Sequence, residues 1–179
     1  MSKEEGVARF LKISLASFNK DYKENFPLGQ KYGLDDMEIT AVYNSIKMPN
    51  RATKYSAGYD IYSPIDFVLK KGETIKILTG LRCKMDNDVV LMIYPRSSLG
   101  FKYRMMLENT VGIIDSDYFD AENEGHIMIK FTNHGDKDLV VNKGTAFAQG
   151  IFTRYLKTVD DEVENVRIGG IGSTNEKNG

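Results

Sequence analysis

The sequence holds no tryptophan, one cysteine, four prolines and two histidines among 179 residues. With Cys83 alone, a disulfide framework or a cysteine-based zinc cluster within one chain is excluded. In the run LRCKM it reads as a small buried thiol. Charge of neither sign is in excess: 24 Lys and Arg stand against 25 Asp and Glu, so there is no basic footprint for nucleic acid. No run approaches the ~18 apolar residues of a membrane span, and Glu4 and Glu5 sit where a signal peptide would need apolar residues. A soluble, cytoplasmic protein of one domain is expected, large enough to bury its core without disulfides or a structural metal.

Two textures divide the chain. Val7, Phe10, Leu11, Ser14, Leu15 and Phe18 follow a three-four spacing with charged residues between them, which predicts one amphipathic helix. A polar connector, NFPLGQKYGLDD, follows. Residues 1–37 are read as this helical extension, packed on the domain or a neighbouring subunit and offering a surface for a protein partner. Residues 38–160 are β in character: EITAVYNSI, FVLKKGETIKILTG, VVLMIYP, MMLENTVGII, HIMIKFTN, DLVV and TAFAQGIFTRY are short runs rich in β-branched and aromatic residues. Lys70-Lys71-Gly72-Glu73 and Asn133-His134-Gly135-Asp136 have the composition of hairpin turns. The fold class expected is all-β, a sandwich or jelly roll with the helix added. Residues 161–179 end in RIGGIGSTNEKNG, the composition of a mobile tail.

Several polar clusters admit two readings each. Asp60 in AGYDI either stabilises a turn or holds a ligand. PRSSLG ends a strand and begins a short helix, with Ser97 or Ser98 as cap; its hydroxyls and the Arg96 guanidinium suit phosphate oxygens. Gln149 inside AFAQGIF needs a partner for its amide, structural or ligand. The glycines of the tail suit a polyphosphate or simply disorder. In VGIIDSDYFDAENEG, Asp115 follows directly on a hydrophobic run, at a hairpin or as a carboxylate held for chemistry.

Taken in order, AGYDI, PRSSLG, NTVGIIDSDY, GTAFAQGIF and RIGGIGST resemble the five motifs of the trimeric deoxyuridine triphosphatase (dUTPase) family over roughly residues 38–174. The resemblance implies a distorted jelly roll, a homotrimer with shared sites, and hydrolysis of dUTP to dUMP and pyrophosphate. It implies Asp115 as the general base for the attacking water and Tyr118 against the deoxyribose, where a ribose 2′-hydroxyl would not fit. Asn109 stands at the base of a uracil-binding hairpin whose backbone, Ile113 included, reads the base. Arg96, Ser97, Ser98 and Gln149 match phosphate-binding positions, and Arg167, Ile171, Ser173 and Thr174 match the tail that closes over the substrate. Asp60 matches an acid holding waters around Mg²⁺, itself bound mainly by the triphosphate.

The sequence departs from that pattern in places. Ile171 replaces the phenylalanine that stacks on uracil, Asn175 replaces a glycine, and FDAENEG lengthens the loop after Tyr118. That loop reads as a variable surface segment, and His126 after it as a core-edge histidine. Two other functions compete. A dCTP deaminase shares the fold and a PRSSLG-like loop but needs a glutamate where Lys130 falls. A nucleotide-gated regulatory binding protein would use the N-terminal helix and the longer loop.

Overall fold

The computed structural model describes residues 7–164 and Gly169. In chain order the elements begin β1 (Ala8–Lys12), α1 (Leu15–Asn25), α2 (Asp36–Asn44), β2 (Asn50–Arg51), β3 (Tyr59–Tyr62), β4 (Phe67–Leu69), β5 (Thr74–Leu78) and β6 (Leu81–Met85). They continue β7 (Val89–Pro95), α3 (Ser97–Tyr103), β8 (Met105–Leu107), β9 (Gly112–Ile114), a 3-10 turn at Ser116–Asp120, β10 (Met128–Asn133), β11 (Leu139–Val141) and β12 (Ala146–Arg154). Every pairing among them is antiparallel. The largest sheet has the order β2-β3-β12-β7-β9; β5-β10-β8, β4-β11 and β1-β6 form the others.

The N-terminal prediction is corrected. The stretch read as one helix is a strand followed by a helix: β1 lies along β6 from Ala8↔Met85 to Lys12↔Leu81. Pairing with a strand edge that would otherwise expose its backbone outweighs the helical spacing of the side chains. Ser14 then ends the strand and caps α1, its hydroxyl accepting from the Ser17 amide at 3.1 Å. EITAVYNSI is corrected as well, from strand to the helix α2. Asp35 and Glu38 form a capping box, and Ile39, Val42 and Ile46 repeat at three-four spacing on the buried side. Local capping outweighs the β-branched content.

The two turns expected to close hairpins do something else. Segment 67–78 and segment 128–141 form an antiparallel ribbon that bends at the turns, so that β4 pairs with β11 and β5 with β10. Asn133, fully buried, fastens the corner: its amide donates to the carbonyls of Leu69 and Lys137 and its side-chain oxygen accepts from the Gly135 amide. Gly72, with φ +77°, supplies the conformation this corner needs.

One hydrophobic cluster runs through both the β sheets and the N-terminal segment. Ile13, Phe18, Tyr22, Phe26, Ile39, Val42 and Ile46 belong to it together with Phe67, Phe131 and Phe147. Gly80 admits α2's end by lacking a side chain, since a Cβ there would meet Ile46 Cδ1 at 2.3 Å. The apolar residues of α1 thus face the domain's own core, with Leu15 left partly outside. Cys83 is buried on β6, which pushes its thiol up to about 12 and keeps it unreactive. No helix among the described residues is long and apolar enough to cross a membrane.

Candidate active site

Three of the residues singled out in the sequence meet on the large sheet. Gln149 on β12 lies opposite Asp60 on β3 and opposite Tyr94 on β7. Directly opposed residues share a face, and two residues along a strand restore it, so Asp60, Gln149, Tyr94 and Arg96 project from one side. Arg96 Nε stands 3.4 Å from an Asp60 carboxylate oxygen. The Gln149 amide donates to the Pro95 carbonyl at 3.2 Å, which leaves its second N–H for another acceptor. Gly58 makes room for this arrangement, since a Cβ there would stand 2.4 Å from Gln149 Oε1. Arg96, rather than either serine, occupies the N-cap of α3; Ser97 and Ser98 are its first two residues and are exposed. A guanidinium, an amide and two hydroxyls at one strand end form a donor-rich surface suited to anionic oxygens.

The second group lies around β9. Met105–Leu107 and Gly112–Ile114 do not pair with one another: β8 joins β10 and β9 joins β7. The expected hairpin is therefore splayed, its tip closed by Thr110 at φ +61° and a bond from the Thr110 amide to the Leu107 carbonyl. Between the arms opens a cleft of about 520 Å³, lined by Leu107, Asn109, Gly112, Ile113, Met128 and Lys130 among others, a size in the range of small-ligand sites. Asn109 and Ile113 are exposed at its wall. Beyond β9, Asp115 is exposed and takes the N-cap position of the 3-10 turn. Tyr118 is buried within that turn; its hydroxyl donates to the His126 carbonyl and accepts from the Asn123 amide, both at 2.8 Å.

One chain does not bring the two groups together. Ile114 sits opposite Leu91, and Asp115 continues away from Arg96, which lies at the other end of β7. At about 3.3 Å per residue the separation along the strand is ~17–20 Å. Arg167, Ile171, Ser173 and Thr174 lie outside the described residues.

The loop FDAENEG is anchored rather than loose. Glu124 accepts from the Ser14 amide, the Ser14 hydroxyl and the Ser17 hydroxyl, and these bonds hold its carboxyl at about 2. His126, expected at the edge of the core, is fully buried, and its carbonyl accepts from the Tyr118 hydroxyl. The Gly80 amide donates to its Nε2, which assigns the ring proton to Nδ1, 2.5 Å from the Asp21 carboxylate. Sequence reading missed Glu124 and Gly58 as contributors; the polar residues 14, 17 and 21, spaced along one helical face, were the available signal for the first.

Among the described residues of one chain, no group of three or more His, Cys, Asp or Glu is placed to hold a metal ion. Asp60, paired with Arg96 beside phosphate-suited donors, fits an ion carried by its substrate.

A profile of the dUTPase family matches residues 44–175. The deoxyuridine 5′-triphosphate nucleotidohydrolase of Lactococcus lactis subsp. lactis is 39% identical over 142 residues, covering 76% of this chain and 95% of the relative. That of Paraburkholderia phytofirmans is 36% identical over 147 residues, covering 78% and 96%. Among solved structures, the dUTPase from Streptococcus mutans aligns with a TM-score of 0.57 at 33% identity, over 64% of this chain and 90% of that one. The dUTPase of phage phi11 of S. aureus, at 22% identity and a TM-score of 0.55, shares the fold, and its structure concerns the coordination of a structural Mg(II) ion. With the family profile spanning most of its length, this chain belongs to the dUTPase family.

Proposed function

We propose that this protein hydrolyses dUTP to dUMP and pyrophosphate, in sites assembled between the chains of a homotrimer. The observation that carries the reading is the placement of two complementary half-sites at opposite ends of β7: a donor-rich cluster around Arg96 and a cleft with the Asp115 turn around β9. Neither suffices alone, and their separation within one chain calls for a neighbour's copy of the other.

In this reading Asp115 orients the attacking water and takes its proton at a carboxylate oxygen, in line with the α-phosphorus. Uracil enters the cleft, where the splayed arms of β8 and β9 leave backbone groups to pair with its polar edge. Ile113 lines the wall that leaves no room for thymine's methyl group. Tyr118, its ring buried and its hydroxyl tied at both lone pair and proton, fixes from beneath the turn against which a ribose 2′-hydroxyl would crowd. Asn109 closes the cleft at the turn. Arg96, Ser97, Ser98 and the remaining Gln149 N–H hold the phosphate oxygens, and residues 161–179, with Arg167, Ile171, Ser173 and Thr174, cover the bound nucleotide. Asp60 would hold, through water, a Mg²⁺ ion brought by the triphosphate, which would supply charge neutralisation. Lys130, opposite Lys76 on the neighbouring strand, puts no acid where deamination of dCTP would need one.

The test is pyrophosphate release from dUTP, dCTP, dTTP and UTP, with and without Mg²⁺. Turnover of dUTP alone, enhanced by Mg²⁺, is expected; equal turnover of all four, or ammonia from dCTP, would sink the proposal. Gly58→Ala probes the phosphate half-site. The added methyl meets the Gln149 side chain and forces its amide to turn away from the Pro95 carbonyl, so stability should fall only by about the 0.5–1.5 kcal/mol of one hydrogen bond. Losing a hydrogen bond to a charged group is worth ~1.5–3 kcal/mol, so kcat/KM for dUTP should fall about ten- to a hundredfold. An unchanged kcat/KM in the folded variant would remove Gln149 from the phosphate contacts.

A further inference from the structure

The lengthened loop and the N-terminal helix meet at a set of contacts that the reaction scheme above does not use. Ser14, Ser17 and Asp21 form a polar stripe along α1; Ser14 and Ser17 bond to Glu124 in the loop, and Asp21 bonds to His126 just after it. Glu124 receives three of these bonds, at 2.5 to 2.7 Å, while Arg82 on β6 stands 4.0 Å away. The Arg82 guanidinium also donates to the Phe119 carbonyl at 2.5 Å and lies 3.5 Å over the Phe119 ring. On its inner side the same loop grips Tyr118: Asn123 donates to the Tyr118 hydroxyl, the His126 carbonyl accepts from it, and Gly125 passes so close that a Cβ would stand 2.6 Å from the Tyr118 carbonyl.

The backbone at Glu124 singles this residue out. Its φ is +57°, in the left-handed region that a side chain with a Cβ adopts only at a cost, and it precedes Gly125 at +67°. Asparagine or glycine would sit there with less strain. The strained conformation aims the carboxylate across the loop at the cap of α1, where it satisfies an amide and two hydroxyls together.

We infer that Glu124 is a positioning residue: by clamping the loop to Ser14 and Ser17 at the start of α1, beside the Asp21–His126 contact, it holds the Tyr118 wall and the Asp115 turn in register for the deoxynucleotide. This assigns the N-terminal segment a part in selectivity, and it rests on the function proposed above. Tyr118 is linked to the clamp through Asn123 and His126, and Asp115 leads directly into the turn that Tyr118 anchors. Loosening the clamp therefore frees the sugar wall and the base together, and small displacements of such groups are costly to rate.

Two variants separate positioning from folding. Glu124→Gln keeps the shape but replaces an acceptor oxygen by a donor facing donors. Glu124→Gly removes the carboxylate while relieving the backbone, so its stability suffers less. Well below the melting temperature of each, kcat for dUTP should fall about ten- to a hundredfold, and the preference in kcat/KM for dUTP over UTP should narrow. Amide hydrogen exchange across Ser116–Asp120 should quicken in both. A variant that stays folded with kcat, the dUTP-over-UTP preference and the exchange all unchanged overturns the inference. If the wild-type protein leaves dUTP intact, the functional reading falls, and the exchange then decides the clamp: unchanged protection overturns it, faster exchange upholds it.

Discussion

Asp115→Asn should lower dUTP turnover by about 10²–10⁴-fold, the range contributed by a positioned general base, with substrate affinity little altered. The substitution keeps the size of the side chain and removes its ability to take a proton. Asp115 is exposed at the start of the 3-10 turn, and the melting temperature of the variant separates lost catalysis from lost folding. Combining this variant with Arg96→Ala gives a stricter test of shared sites. Each variant alone should be inactive. Dissociated and reassembled together, random mixing leaves an intact Asp115 facing an intact Arg96 in about a quarter of sites of a cyclic oligomer. A site confined to one chain gives no recovery, because every chain then carries one of the two defects. Absence of recovery in verified mixed oligomers would refute sharing; a near-wild-type rate for Asp115→Asn alone would refute the base.

Phe18→Ala should destabilise the whole protein by ~3–5 kcal/mol, the usual cost of emptying a large aromatic site in a core. Phe18 is fully buried, with the rings of Tyr22, Tyr43 and His126 at 5.7 to 6.1 Å. It also packs close to the backbone at Gly80, which places it between both helices and the β sheets. For a chain of this size the melting point should drop by roughly 6–20 °C, in a single transition. The form of the transition carries the meaning. If residues 7–46 were a separable attachment, the variant would lose only their structure at low temperature while the β sheets melted as in the wild type. A change below about 1 kcal/mol, typical of surface positions, would show that the segment does not share the core.

Most of the β architecture was legible in the chain. Runs such as VVLMIYP and HIMIKFTN coincide with β7 and β10 because alternation and β-branching state which residues face inward, and turn residues bound them. The burial of Cys83 was legible from its place in the run LRCKM. Where each strand finds its partner was not. KKGE and NHGD have hairpin composition, yet they bend one long ribbon, because the neighbours of β4 and β5 are chosen by a distant segment and not by the turn. The first helix failed for a related reason: a three-four spacing is a preference of side chains, and the open edge of β6 is a stronger claim on the backbone from Ala8 to Lys12.

The same division runs through the site. Sequence alone determined the chemical cast: a carboxylate after an apolar run, an arginine with two serines at a strand end, a glutamine in an apolar strand, and the order of motifs that marks the family. Those choices are local, since residue type fixes what a side chain can donate, accept or exclude. Tertiary structure decided distance. Antiparallel pairing along β7 sets the arginine cluster and Asp115 at opposite ends of one strand, and it opens the turn between β8 and β9 into a cleft by sending its arms to different sheets. It also turned a lengthened loop and a terminal helix, far apart in sequence, into one fastening through Glu124. Separations of that kind depend on which strands find each other across the chain, and no local pattern of residues carries them.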